Sequence, residues 1–365
     1  MRVDRLGILL VVSVLSVACS HATLIARHRP MHPGNAQAVT FEASAVNADR
    51  VTLSYERYSL TTGTGGTHVQ TLAVAETEVK TCNPAGSSAS ITCTHTMPSA
   101  FPFPAASLIA YTARAWDSEG VSTAETYSFA AGDYPWPDDP IPIRLKGEAV
   151  RSLDAVLIPD TDITVASFRD QLDEVIEMYF RYEQIRLFRG VHNFYYSSRQ
   201  GNYEELCNFT NPPNMANLLA VADSVAILHT TNLRDCRSGI RMSSEIDYDK
   251  TLIHETGHAL FGLMDEYCCD SSYASQPCQK NLYDSLASCQ SDAPNVGLPA
   301  SNCTQLAGTT TLNFWRIDPT SGPGCMMGPG QHSSTSEFRE ACKRRMQWRY
   351  GKCLGGDCFP SPECP

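Results

Sequence analysis

Four prolines fall within eight residues, from Pro135 to Pro142. Proline fixes its own φ and brings no N–H to a ladder, so the stretch around them cannot run through the middle of a helix or a sheet. It separates two textures. Before it, short segments such as Val51-Thr52-Leu53-Ser54-Tyr55 and Tyr111-Thr112-Ala113-Arg114-Ala115-Trp116 alternate with period two between Gly, Ser and Pro breaks, the pattern of half-buried strands. After it come longer apolar runs and helical spacing. We therefore place a first domain over residues 23–131, a Pro-rich linker over 132–145 and a second domain over 146–365, in keeping with about 150 residues per domain.

In the first domain, Asp117-Ser118-Glu119-Gly120 reads as a turn before a strand from Thr123 to Phe129. The whole region resembles an immunoglobulin-like β-sandwich. In the second, Asp154 to Pro159, Val191 to Tyr196 and Ser224 to His229 suit strands. Phe168, Leu172, Val175, Ile176 and Tyr179 recur at helical spacing between the first two. Strands alternating with helices imply a mixed α/β layer. The aromatics Phe194, Tyr195 and Tyr196 are expected in core packing, Cys268 to Cys303 in bridged loops, and Glu337 to Tyr350 in a last helix.

The chain opens with Arg2 and Arg5, an apolar run from Leu6 to Ala18, and then small residues. That is a signal-peptide layout, too short for the roughly 20 residues of a membrane helix. Ser20 and Ala22 fit cleavage before Thr23, which makes residues 1–22 the signal. Ser16-Val17-Ala18-Cys19 fits instead a lipoprotein signal ending at residue 18, with a lipid anchor on Cys19. The expected localisation is secreted, or an outer-surface lipoprotein, with no membrane span. Either route removes Cys19 from the 15 cysteines and leaves an even set, suited to disulfides in an oxidising compartment. Cys82 with Cys93 is the expected local pair, being alone in their domain. A net charge of −11 disfavours nucleic acid as a partner.

Chemistry concentrates in Lys250 to Tyr267. His254 and His258 are four apart, so on a helix both imidazoles leave one face a turn apart and can grip one ion. Glu255 lies beside the first histidine, outside the coordinating pair, where it can take a proton from water. This is the logic of HExxH zinc sites. A catalytic zinc takes three protein ligands and keeps one open position. Gly262 ends the run, and Asp265, three residues on, is the expected third ligand, with Glu266 as the alternative. Tyr267 and His332 are candidates to stabilise an oxyanion.

The string HExxHxxxGLxDEY, from His254 to Tyr267, resembles the signature of the IgA-peptidase family, a metzincin-like group of secreted zinc metallopeptidases. The likeness runs from about Asp154 to Cys342. It implies an immunoglobulin-like β-sandwich followed by an α/β zincin (metzincin-like) catalytic domain. It further implies zinc on His254, His258 and Asp265, Glu255 as the base, and a Met turn at Cys325-Met326-Met327 with Met327, or else Met326, beneath the metal. The implied activity is endopeptidase hydrolysis of a protein or peptide substrate; cleavage of immunoglobulin A does not carry over. The sequence leaves two other classes open: a secreted or surface binding protein with a structural metal, and a disulfide-rich structural protein without one.

Overall fold

The computed structural model describes residues 22–34, 37–63, 68–84, 90–97, 106–146, 152–205, 207–267, 281–306, 314–318, 324–328 and 332–356. Residues 1–21, which include Cys19 and all of the expected signal but Ala22, and residues 268–280 of the Cys268–Cys303 segment lie outside them.

Period-two alternation sets the first half. β1 (Thr23–Arg29), β2 (Val39–Val46), β3 (Arg50–Thr62), β4 (His68–Cys82), β5 (Ser90–Met97), β6 (Ser107–Trp116) and β7 (Ser122–Ala131) form two sheets. One has the order β1-β2-β5 and the other β4-β3-β6-β7. In β2, Val39, Phe41, Ala43 and Ala45 are buried while the residues between them are partly exposed, so a one-residue slip would turn the apolar set outward. Phe41, Tyr111 and Phe129, one from the first sheet and two from the second, meet in a shared core. The two faces thus pack as a sandwich. The Cys82–Cys93 bridge joins β4 to β5 and so links the sheets.

The second half is built on a six-stranded sheet. Its strands are β8 (Ile141–Arg144), β9 (Leu153–Pro159), β10 (His192–Tyr196), β13 (Ser224–His229), β14 (Arg237–Ser238) and β15 (Arg241–Glu245). The order is β14-β15-β13-β9-β10-β8, parallel in the centre with both edge strands antiparallel. β9 is buried throughout, as a central parallel strand must be. Its alternation survives in the packing. Ala155 and Leu157 join the core shared by α1 (Val165–Arg181), α4 (Asp249–Phe261) and α6 (Glu340–Leu354). Val156 and Ile158 face the opposite layer, made by α3 (Met215–Leu219) and the small β11–β12 hairpin (Asn202–Glu204, Asn208–Thr210). α1 begins where Thr164 Oγ1 accepts from the Ser167 N–H and buries Phe168, Leu172, Val175, Ile176 and Tyr179. α2 (Glu183–Leu187), α5 (Leu286–Asp292) and the β16–β17 pair (Cys303–Gln305, Trp315–Ile317) complete the described elements.

Three expectations need correction. Residues 132–145 are not linker throughout, because 141–144 form buried edge strand β8. Pro142 is tolerated there since it faces the irregular Phe194/Tyr195 step of β10 at the sheet's edge. The halves are in fact stitched together: Ser128 and Leu145 exchange backbone hydrogen bonds, Met31 N donates to Asp173, and Arg189 donates to the Ala26 carbonyl. Second, α5 lies inside the segment expected as loop; Ser285 caps it and Cys289 bridges to Cys303, so local bonds replace the missing apolar period. Third, not every cysteine is bridged, since Cys325 and Cys342 are buried thiols. No described helix is long and apolar enough to cross a membrane.

Candidate metal centre

α4 carries His254, Glu255 and His258 on a buried helix. At its end Gly262 turns left-handed at φ 63°, a conformation that glycine takes without a Cβ penalty. The Gly262 N–H returns to the His258 carbonyl and the Leu263 N–H to that of Gly257. The chain is thereby folded back, and Asp265 reaches the histidines.

His254 Nε2 and His258 Nε2 lie 3.1 Å apart, and Asp265 Oδ1 lies 3.1 and 3.2 Å from them. All three side chains are under a tenth exposed. The opposite ring atoms are committed: His254 Nδ1 sits 2.8 Å from the Met326 carbonyl and His258 Nδ1 2.7 Å from that of Leu263. A carbonyl only accepts, so each Nδ1 carries the proton and each Nε2 turns a lone pair inward. Two nitrogen lone pairs and a carboxylate oxygen at this separation repel unless positive charge sits among them. Ligand atoms on a tetrahedral zinc with bonds of about 2.0–2.1 Å would lie about 3.3 Å apart, close to what is seen. The donor set therefore fits zinc, and Asp265, not Glu266, completes the trio.

The electrostatics show that the trio favours a positive charge among its atoms, a proton on Nε2 where no ion is held. Burial disfavours a charged His254, but its bond to Asp265 and the neighbouring carboxylates outweigh that and raise its pKa. Burial pushes Asp265 up, yet both imidazoles overcome it and hold the carboxyl well below the usual carboxylate range. Glu255 is pushed up by burial, with His258 and His254 pulling it down. Its Oε2 is buried without a hydrogen-bond partner.

A turn at 325–328, closed by a Gly328 N–H to Cys325 carbonyl bond, underlies the trio. Met326 supplies the carbonyl that orients His254, while the sulfur of Met327 lies against Gly257. The two methionines thus divide the tasks. Glu266 turns away into a buried cluster, accepting from Asn281 Nδ2 at 3.0 Å and from the Cys342 thiol at 3.1 Å. Tyr267 and His332 both line the cleft of about 1070 Å³ that opens over the histidines. The Tyr267 ring is 6.1 Å from that of His254, and His332 Nδ1 is 3.1 Å from the Tyr248 hydroxyl. The same cleft is lined by Asp235 and Glu245, which the sequence did not single out. Neither belongs to a spaced motif; only the fold brings them here.

No family model and no curated protein matches the chain. Among solved structures, the sporulation control protein Spo0M of Bacillus subtilis is similar over 32% of this chain and 51% of its own, about half its length, at 11% identity and a TM-score of 0.21. A structural-genomics target, SoR45, matches 31% of this chain and 87% of its own at 10% identity and a TM-score of 0.17. AggA, the major subunit of aggregative adherence fimbriae type I from Escherichia coli, matches 31% of this chain and 95% of its own at 7% identity and a TM-score of 0.16. Likenesses this slight carry no argument about function.

Proposed function

We propose that the chain is a secreted zinc-dependent endopeptidase of the IgA-peptidase type, its second half a metzincin-like zincin domain and its first an immunoglobulin-like sandwich. The observation that carries this reading is the convergence of three lone-pair donors with both Nδ1 protons committed elsewhere. His254, His258 and Asp265 would hold the zinc. When bound, zinc supplies Lewis acidity, polarising a carbonyl and making water a stronger acid.

The chain's own residues do the rest. Glu255 Oε2 faces no donor, so it is free to take a proton from the attacking water and pass it to the departing amine. Its burial matters here, because a carboxylate with a raised pKa is a stronger base and takes up a proton more readily at neutral pH. The carbonyls of Met326 and Leu263 keep the imidazoles in one tautomer and orientation. The cleft has room for an extended peptide.

Treatment with a chelator should abolish cleavage of a mixed protein substrate, and zinc should restore it. Glu255→Gln should lower kcat by about 10²–10⁴-fold while retaining zinc. Native turnover in that variant contradicts the role given to Glu255. Zinc without turnover in the wild-type chain would make it a binding protein instead.

A further inference from the structure

Cys325 opens the turn that carries the Met326 carbonyl, and Cys342 lies in the first turn of α6. The backbone already draws these two places together: the Met326 N–H donates to the Glu337 carbonyl at 2.9 Å, and the Glu337 N–H to that of Gly324 at 3.3 Å. The two sulfurs are 3.6 Å apart. Both side chains sit in the core shared by α1, α4 and α6, with Cys325 8% and Cys342 1% exposed. Every other described cysteine is disulfide-bonded. These two thiols face each other instead.

A thiol is a weak donor and a weak acceptor, so two buried thiols in contact gain little as they stand. The third polar group here is Glu266, whose Oε1 accepts from the Cys342 thiol at 3.1 Å and from Asn281 Nδ2 at 3.0 Å. A metal ion on these three groups would gather two thiolates and a carboxylate out of water, which is costly in a buried site. A disulfide is neutral and leaves Glu266 its Asn281 donor. Closing the gap from 3.6 Å to a bond of about 2.05 Å asks the sulfurs to approach by only about 1.5 Å.

We propose that Cys325 and Cys342 form a cross-linking site whose disulfide clamps the turn beneath His254 to α6. The bond forms by exchange with a small disulfide such as cystine. The Cys342 sulfur gives up its proton, attacks one sulfur of the donor and releases the other as a thiol; the Cys325 sulfur, deprotonated in turn, displaces the second. One S–S bond is made and one broken, two electrons pass to the donor, and the two protons end on its two thiols. Burial sets the order of events: exchange takes place as the chain folds, and the closed core then shields the bond from reductants. Because the Met326 carbonyl fixes His254 Nδ1, the clamp also steadies a metal ligand. That last consequence rests on the zinc reading above, whereas the cross-link itself does not.

The test uses the full chain folded in the presence of cystine. Denatured without reductant, alkylated and digested, it should yield a pair of peptides joined through Cys325 and Cys342. Alkylated Cys325 and Cys342, whether from free thiols or from thiols that had held a metal, overturn the cross-link. Cys325→Ala, Cys342→Ala and the double variant should each lower the thermal midpoint by at least about 4 °C. The double variant should lose little more than either single one, because the same bond is missing from all three. Losses that add overturn the clamp. Zinc affinity, read by competition with a chromogenic chelator, should fall about tenfold in the variants; an unchanged affinity overturns the support given to His254. If no form of the chain holds zinc, the peptidase reading fails, while the mapped bond and the midpoints still decide the clamp.

Discussion

Gly257, between the two histidines, has no room for a side chain. A Cβ there would sit 2.7 Å from Met327 Sδ and 3.3 Å from Phe338 Cε1. Alanine favours helix by about 1 kcal/mol over glycine, but overpacking a filled core costs about 1–3 kcal/mol. Gly257→Ala should therefore destabilise the chain slightly, and Met327→Ala, which empties a buried site, by about 2–5 kcal/mol. The double variant should recover at least about 1 kcal/mol relative to the sum of the two, as measured by denaturant unfolding. Strict additivity would mean that Met327 does not support the helix at this point. At this scale the HExxH spacing exposed His254, Glu255 and His258 because helix geometry alone aligns them. It could not choose between Asp265 and Glu266, which depends on where the chain turns after Gly262.

That turn belongs to the element scale. α4 supplies two histidines, and a left-handed residue reverses the chain so that Asp265 meets them. Gly262→Ala should cost on the order of 1 kcal/mol in stability and weaken zinc binding more than an exposed substitution of the same size, as read by competition with a chromogenic chelator. Unchanged zinc affinity would show that Asp265 reaches the histidines without help from this residue. The sandwich strands and α1 were legible because each buries one periodic face, as with Phe168 to Tyr179 on α1, and β9 and β13 because each is a short continuous apolar run. β8 was not, since four prolines look like a linker until β10 offers an edge to pair with. α5 was hidden for the opposite reason: its stability comes from a serine cap and a bridge, and its sequence has no apolar stripe.

Across the whole molecule the described residues form five sheets with six α-helices, and the seam between sandwich and six-stranded sheet is hydrogen-bonded. A distant consequence concerns pH. Asp223, at the start of β13, accepts from Asp154 N and pairs with Arg349 at 3.2 Å. Burial still outweighs these contacts and lifts its carboxyl to about 7. A folded-state pKa above the unfolded one favours folding below about pH 4 and loses that contribution as pH rises through about 7. The thermal midpoint should fall between about pH 4 and pH 7, and Asp223→Asn should flatten that fall. An equal slope in both proteins would show that Asp223 is ionised throughout. The division into two domains was visible as a change of texture, whereas this seam was not, because two of its contacts, Met31 with Asp173 and Ala26 with Arg189, join residues more than a hundred positions apart.

X-ray absorption spectroscopy of the purified chain, calibrated by elemental analysis, addresses the metal centre most directly. The account predicts one zinc per chain with nitrogen and oxygen neighbours at about 2.0–2.2 Å, imidazole scattering from two rings and no sulfur. Absence of stoichiometric zinc, or a sulfur shell near 2.3 Å that would put the ion on Cys325 and Cys342 instead, would contradict it.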